Sequence, residues 1–213
     1  MNIEEFERRM ETASPDELLA LIEEFEEVLT QEKFYSGWFK YHVELAKKVG
    51  YIQTLVFGAR ESFAAQNNGV CRVSHKEVSR RLNMAKSTER EATKELANIR
   101  LIEPQMQEYK TDLINVLLED APGKNWVKTY DRVCREVGYI PAMVYGVIEG
   151  YTKMSSGYCH ATQRTMADRL SISVNALRKA IEELIEAKYL IEFKTNKRTE
   201  SNIYIVKWPE EIE

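Results

Sequence analysis

Ser173, Asn175, Arg178 and Lys179 have the types and spacing to read a base edge. Helical periodicity places them, with Glu182, on one face of a segment. Asparagine and arginine offer paired hydrogen-bonding groups that match adenine and guanine edges in a major groove. Leu177, Ala180, Ile181 and Leu184 fall on the opposite face and would hold the segment against a core. A second cluster, Lys194, Asn196, Lys197 and Arg198, lies between two apolar runs that read as strands. A hairpin tip of this kind suits phosphate contacts or insertion into a minor groove, although an exposed turn needs polar residues for solubility alone. Lys86, Ser87, Arg90 and Lys94 form a weaker set of the same kind earlier in the chain.

Little else in the sequence suggests chemistry. There is no phosphate-cradling GxxxxGK and no GxGxxG. His42, His75 and His160 stand far apart, and no Ser-His-Asp set or paired acids emerge from the ordinary surface glutamates. Cys71, Cys134 and Cys159 are an odd number without CxxC spacing, so they read as core thiols in a reducing compartment. The expectation is a non-enzymatic protein without cofactor or metal. No apolar run approaches the ~18 residues of a membrane span, and the N-terminus is acidic and polar. A cytoplasmic protein with no membrane partner is expected.

The elements that position these residues come in duplicate. The segment beginning at Trp38 returns at Trp126, an offset of 88 residues, and about 17 of 65 positions are identical between Trp38 and Ile102. Shared positions include Trp38/Trp126, the two VGYI blocks, Gly58/Gly146, Gly69/Gly157 and Cys71/Cys159. Two long copies indicate a duplicated domain rather than a solenoid. Each copy reads as an amphipathic helix (Trp38 to Lys48; Trp126 to Glu136), then an apolar helix (Ile52 to Phe63; Pro141 to Tyr151). A glycine-bearing turn and a short extended segment at the cysteine come next. Ser74 and Glu77 form a capping box for the next helix, and Thr162 holds the place of Ser74 in the second copy. In that copy Met166, Ala167 and Leu170 face inward on a short helix, and a tight turn at Ser171-Ile172-Ser173 leads to the segment that carries Arg178. This is a helix-turn-helix with a hairpin wing behind it. In the first copy Glu89 and Thr93 stand where the second has Leu177 and Ile181, and the hairpin tip Gln105-Met106-Gln107-Glu108 lacks the basic cluster. The first copy is therefore the poorer reader.

The fold class predicted is mainly α with small β-hairpin wings: two tandem winged-helix domains behind a helical N-terminal segment. The boundaries are 1–36 for that acidic segment, 37–118 for the first domain, 119–125 for a linker, 126–208 for the second domain and 209–213 for an acidic tail. The net charge of −4 is unevenly spread: residues 1–36 carry 3 basic and 11 acidic side chains, whereas 37–118 and 124–208 are each mildly basic. Ser14-Pro15-Asp16-Glu17 is a helix start, and Leu18, Ile22, Phe25 and Leu29 recur on one face of the helix it opens. That helix packs on the first domain or pairs with another subunit; with the first domain it is the candidate homodimer surface.

The stretch WVKTY…GYIPAMVYGVIEGY with TMADRLSISVNALRKAIEELIEAKYLI after it resembles the winged-helix regions of phage and plasmid replication proteins, across 38–118 and 126–208. Two winged helices in one chain are also similar to iteron-binding plasmid initiators, although their specific signature motifs are not present. The resemblance implies double-stranded DNA as partner, one domain for dimerisation or partner contacts, the other for reading the site, and contact with a replication helicase or its loader. A winged-helix transcriptional regulator binding its operator as a dimer is the alternative. A protein-interaction adaptor whose winged helices no longer bind DNA is the third reading.

Overall fold

The computed structural model describes residues 37–65, 69–107, 110–117, 125–155, 157–193 and 203–207. The chain divides into Met1–Gly37 and Trp38–Glu213. The predicted N-terminal helix, the 119–123 linker segment, the wing tip and the acidic tail lie outside the described residues. The second unit carries both copies of the repeat.

The first copy runs β1 (Trp38–His42), α1 (Val43–Val49), α2 (Tyr51–Ala64), β2 (Val70–Cys71), α3 (His75–Leu82), α4 (Lys86–Asn98), β3 (Ile102–Gln107) and β4 (Lys110–Leu117). The second runs β5 (Trp126–Tyr130), α5 (Asp131–Glu136), α6 (Tyr139–Met154), α7 (Gln163–Leu170), α8 (Val174–Glu186), β6 (Leu190–Phe193) and β7 (Ile203–Val206). In place of β2 it has a single bridge between Cys159 and Tyr204. The helix pairs α3/α7 and α4/α8 are offset by the 88 residues of the repeat at both ends. The unusual backbone positions are duplicated too: Asn83 and Ser171 (φ 49 and 54), Arg100 and Lys188 (59 and 64), Gly50 and Gly138 (98 and 123). Left-handed residues outside glycine are uncommon, so their recurrence in register identifies a duplicated fold independently of sequence identity. The chain is mainly α-helical with small antiparallel hairpins, and its two copies are tandem winged-helix domains.

One prediction needs correction. The first element of each copy does not begin as a helix at Trp38 or Trp126; it begins as a five-residue strand, and the helix starts only at Val43 or Asp131. WFKYH and WVKTY alternate: Phe39, Tyr41, Val127 and Thr129 are buried, and Trp38 and Trp126 are exposed. Period-two alternation with aromatic and β-branched residues favours a strand. The deciding factor is non-local, because each strand pairs with the same strand of the other copy.

β1 and β5 pair antiparallel, with Trp38 opposite Tyr130, Lys40 opposite Lys128 and His42 opposite Trp126. Lys40 and Lys128 are repeat equivalents, so a local two-fold axis passes between them. The surrounding contacts are reciprocal: α5 packs on α3 and α1 on α7. Tyr41 donates its hydroxyl to the carbonyl of Leu170 at 2.6 Å, and Asn83 Nδ2 donates to Arg135 O at 3.2 Å. Arg81 forms a forked pair with Asp131 at 2.7 and 3.0 Å, both groups nearly buried. Burial pushes the Asp131 carboxyl up; Arg81 opposes this, and the group remains above its ordinary value.

Gly58 and Gly146 show how tightly each copy is built around this ladder. A Cβ on either would lie 1.8 Å from a strand carbonyl, Lys40 O and Lys128 O respectively. The obstacle is backbone, so neither α2 nor α6 can rest on its strand with any other residue. Gly146→Ala and Gly58→Ala are each expected to lower unfolding stability by about 3 kcal/mol, the upper end of overpacking costs. Urea titration measures this; a loss below about 1 kcal/mol at both sites would show that the close crossing is not required.

Candidate nucleic-acid interface

The second copy supplies a complete helix-turn-helix. Thr162 caps α7, its Oγ1 accepting from Thr165 N at 3.1 Å. Ser171, left-handed, ends α7 and turns the chain. Ser173 caps α8, accepting from Ala176 N at 3.1 Å. Met166, Ala167 and Leu170 on α7 and Leu177, Ala180, Ile181 and Leu184 on α8 are buried, so the inner faces are as the sequence predicts. Asn175, Arg178, Lys179 and Glu182 are exposed on the opposite face of α8, with Ser173 at its start. Ser173 Oγ accepts the cap bond, which leaves its hydroxyl hydrogen and one lone pair for a ligand. Among the described residues Lys179 makes an exposed ion pair with Glu183 at 3.5 Å, an interaction of small net worth.

Arg178 is different. Its Nε donates to Gln163 Oε1 at 2.9 Å, and Gln163 Nε2 in turn donates to the hydroxyl of Tyr204 at 3.1 Å. Tyr204 is buried on β7, the wing strand that also bridges to Cys159. A relay thus runs from wing to first helix to second helix and ends at the exposed Arg178. Gln163 and Tyr204 were not legible as functional, because both occupy ordinary polar or aromatic places and the relay joins residues 41 apart. Arg164 and its repeat equivalent Lys76 were also missed; both are exposed at the start of the first helix of their helix-turn-helix. Their signal was retention of a cation at the same place in both copies. Lys194, Asn196, Lys197 and Arg198 lie outside the described residues; β6 and β7, which lead to them, pair from Leu190–Val206 to Phe193–Ile203.

In the first copy Lys86, Ser87, Arg90 and Lys94 are likewise exposed along α4. What lies beneath them is not a copy of the second site. Ala85 stands at the cap position and makes no side-chain cap bond. His75, in the place of Gln163, turns inward to Glu89 Oε2 at 2.5 Å and to Arg60 Nη2 at 3.1 Å. Arg60 and Glu89 are both 0% exposed and pair at 2.6 Å, and Thr93 Oγ1 donates to Glu89 at 2.9 Å. The residues that broke the apolar pattern of α4 are therefore a buried ionic cluster, not exposed polar groups. Burial pushes the Glu89 carboxyl up, but the His75 hydrogen bond and the Arg60 charge outweigh it and leave it below its ordinary value. The wing of this copy is one residue shorter, since Ile102 pairs with Leu117 where Leu190 pairs with Val206.

Residues 142–190, from the first turn of α6 to the start of β6, match the helix-turn-helix domain family. A domain of this class suggests binding of double-stranded DNA. No curated protein matches the chain. Among solved structures, the DIP2311 protein from Corynebacterium diphtheriae is similar at 12% identity and a TM-score of 0.26, covering 73% of this chain and 26% of that one. No helix among the described residues is long and apolar enough to cross a membrane.

The second copy is a template for testing the buried cluster. Glu89→Ala leaves Arg60 buried and unpaired, which costs about 3–5 kcal/mol. Arg60→Ile, Glu89→Leu and Thr93→Ile together reproduce Ile148, Leu177 and Ile181 and are expected to match or exceed wild-type stability. The Glu89 pKa is depressed below 4.5, so its stabilisation is complete above that value and fades as pH falls through the folded value. The Glu89→Ala deficit measured by urea unfolding should accordingly shrink in acid below about pH 4.5. A deficit independent of pH down to acid unfolding would remove the ionised carboxylate from the account.

Proposed function

We propose that the chain is a non-enzymatic, sequence-specific double-stranded DNA-binding protein, with α8 as its main reading element. The observation that carries this is Arg178 held outward by Gln163 and Tyr204, on a capped helix that also presents Asn175 and Lys179. The role proposed is that of a mobile-element replication initiator binding its origin. It rests on the tandem winged-helix architecture and on the unequal equipment of the two copies. The first copy, without the cap and with its histidine turned inward, suits a protein contact: a second subunit, a replication helicase or a loader. The Lys194–Arg198 tip adds phosphate contacts.

Fluorescence anisotropy with duplexes from the chain's own replicon and with random duplex, over several salt concentrations, tests this. Arg178→Ala is expected to cost about 1–3 kcal/mol, roughly 5- to 150-fold, on the specific site and far less on random DNA. Replacing Lys194, Lys197 and Arg198 by alanine should weaken binding to both and flatten the salt dependence. Protection of tandem repeats supports the initiator role; a single palindrome protected by a symmetric dimer assigns the chain to transcriptional regulation. No binding at low salt would leave the adaptor reading in possession.

A further inference from the structure

The ladder that joins the copies carries an exposed aromatic and cationic surface that the duplex-reading face does not use. Trp38 and Trp126 are 41% and 39% exposed, and their rings stack at 5.7 Å and 15° across the local two-fold. Lys128 lies over the Trp38 ring at 5.0 Å and Lys40 over Trp126 at 5.9 Å. Beside Trp126 the surface opens into a cavity of about 190 Å³, lined in part by Lys128, Lys153 and Arg169 with Gly150 and Met154 between them. Met154 is 71% exposed. Glu149 is the one acid on that lining, and it is already engaged by Tyr130 and Lys153.

Arg169 breaks the symmetry of the duplication. Its equivalent, Arg81, is neutralised by Asp131 of the other copy. The residue equivalent to Asp131 is Val43, so at the matching place Arg169 finds a valine instead of an acid. Its described contacts are Asn125 Oδ1 at 3.2 Å and the face of Tyr151, and its Nε is buried with no partner among the described residues. The buried Nε is out of a ligand's reach, but the half-exposed guanidinium makes no ion pair among the described residues, so its outer nitrogens can meet an anion from outside.

We propose that this face binds single-stranded DNA, with an unpaired base stacking on Trp126 over the cavity and its phosphates meeting Lys128, Arg169 and Lys40. The charge selects a polyanion in a chain whose net charge is −4. The aromatic pair selects one with free ring faces, which a duplex does not offer and a single strand does. The Lys40 ammonium lies 5.9 Å from the centre of the Trp126 ring, a loose contact; a base can displace it while the ammonium turns to the adjoining phosphate. The cavity is well below the ~300–1,000 Å³ of sites that enclose a drug-sized ligand, which fits one base of a polymer rather than a whole cofactor.

The test is anisotropy of a labelled dT oligomer of about 12 nucleotides, with tryptophan quenching tracked in a Trp208→Phe background. Wild type should bind and quench. Trp126→Ala should lose about 5- to 150-fold, Trp126→Phe should lose less, and Lys128→Gln with Arg169→Gln should weaken binding and flatten its salt dependence. Arg178→Ala should leave dT binding unchanged, which separates this face from α8. Thermal melts identify the folded variants, and the Gln pair, away from the core, carries the test if Trp126→Ala unfolds. Absence of dT binding at low salt overturns the proposal, as does equal binding by folded wild type and the Gln pair. Equal quenching by polyglutamate of matched charge would mean a surface for acidic protein segments and would overturn it as well.

Discussion

Antiparallel pairing of β1 with β5 is the constraint on which the rest of the second unit depends. A two-stranded ladder of five residues has little stability of its own. It persists here because α2 and α6 lie directly on it, at Gly58 and Gly146, where no side chain fits. The ladder also sets two lysines opposite each other, an arrangement that repels. Each ammonium rests on a tryptophan ring of the other copy, so the repulsion is offset by two cation–π contacts and a ring stack. The two winged helices thereby share one buried seam. Phe39, Tyr41, Val127 and Thr129 lie on its inner side.

A duplicated frame makes divergence easy to see, and at three places it changes what is buried. Arg81 meets Asp131, whereas Arg169 meets Val43's side of the seam and keeps an Nε unpartnered among the described residues. Arg60, Glu89 and Thr93 replace Ile148, Leu177 and Ile181 beneath the second helix of the helix-turn-helix. His75 replaces Gln163 and is drawn into that ionic cluster. The last two are linked physically: a buried carboxylate needs hydrogen-bond donors, and recruiting His75 removes the group that in the second copy steadies Arg178. A change in the core of the first copy thus alters its outer face. The buried ions cost desolvation that an apolar core would not incur, and the first copy bears that cost where the second does not.

The sequence carried the helix-turn-helix almost whole. Ser74-x-x-Glu77 and Thr162 read as cap signals and each makes its cap bond; Ser173, read as a turn and contact residue, caps α8 as well. The inward residues of α7 and α8 obey the helical period and are buried. The strands at Trp38 and Trp126 were misread as the first turns of helices because their five residues lead straight into one. What makes them strands is a partner 88 residues away, which no local pattern encodes. The same non-locality hid Gln163 and Tyr204. Glu89 was visible as an oddity on an apolar face, but only the structure shows Arg60 and His75 turning that oddity into a buried cluster.

In the proposed DNA-reading role, the relay from Tyr204 to Arg178 bears on how recognition would be divided between helix and wing. A free arginine side chain carries about 2 kcal/mol of rotamer entropy, and part of it must be given up when the guanidinium engages a base. In the second copy some of that ordering is done before any ligand arrives, by Gln163 at 2.9 Å. Gln163 is itself fixed by a tyrosine of β7, the strand that leaves the wing and pairs with β6. The register of the wing strands sets where Tyr204 stands, and through Gln163 Tyr204 helps to position Arg178. A displacement of β7 by one residue would exchange Tyr204 for Ile203 or Ile205 at that place, neither of which can accept from Gln163. The pairing of Cys159 with Tyr204 at 2.8 and 2.9 Å pins the register against such a slip, so a buried backbone bridge helps to hold the exposed Arg178 in position.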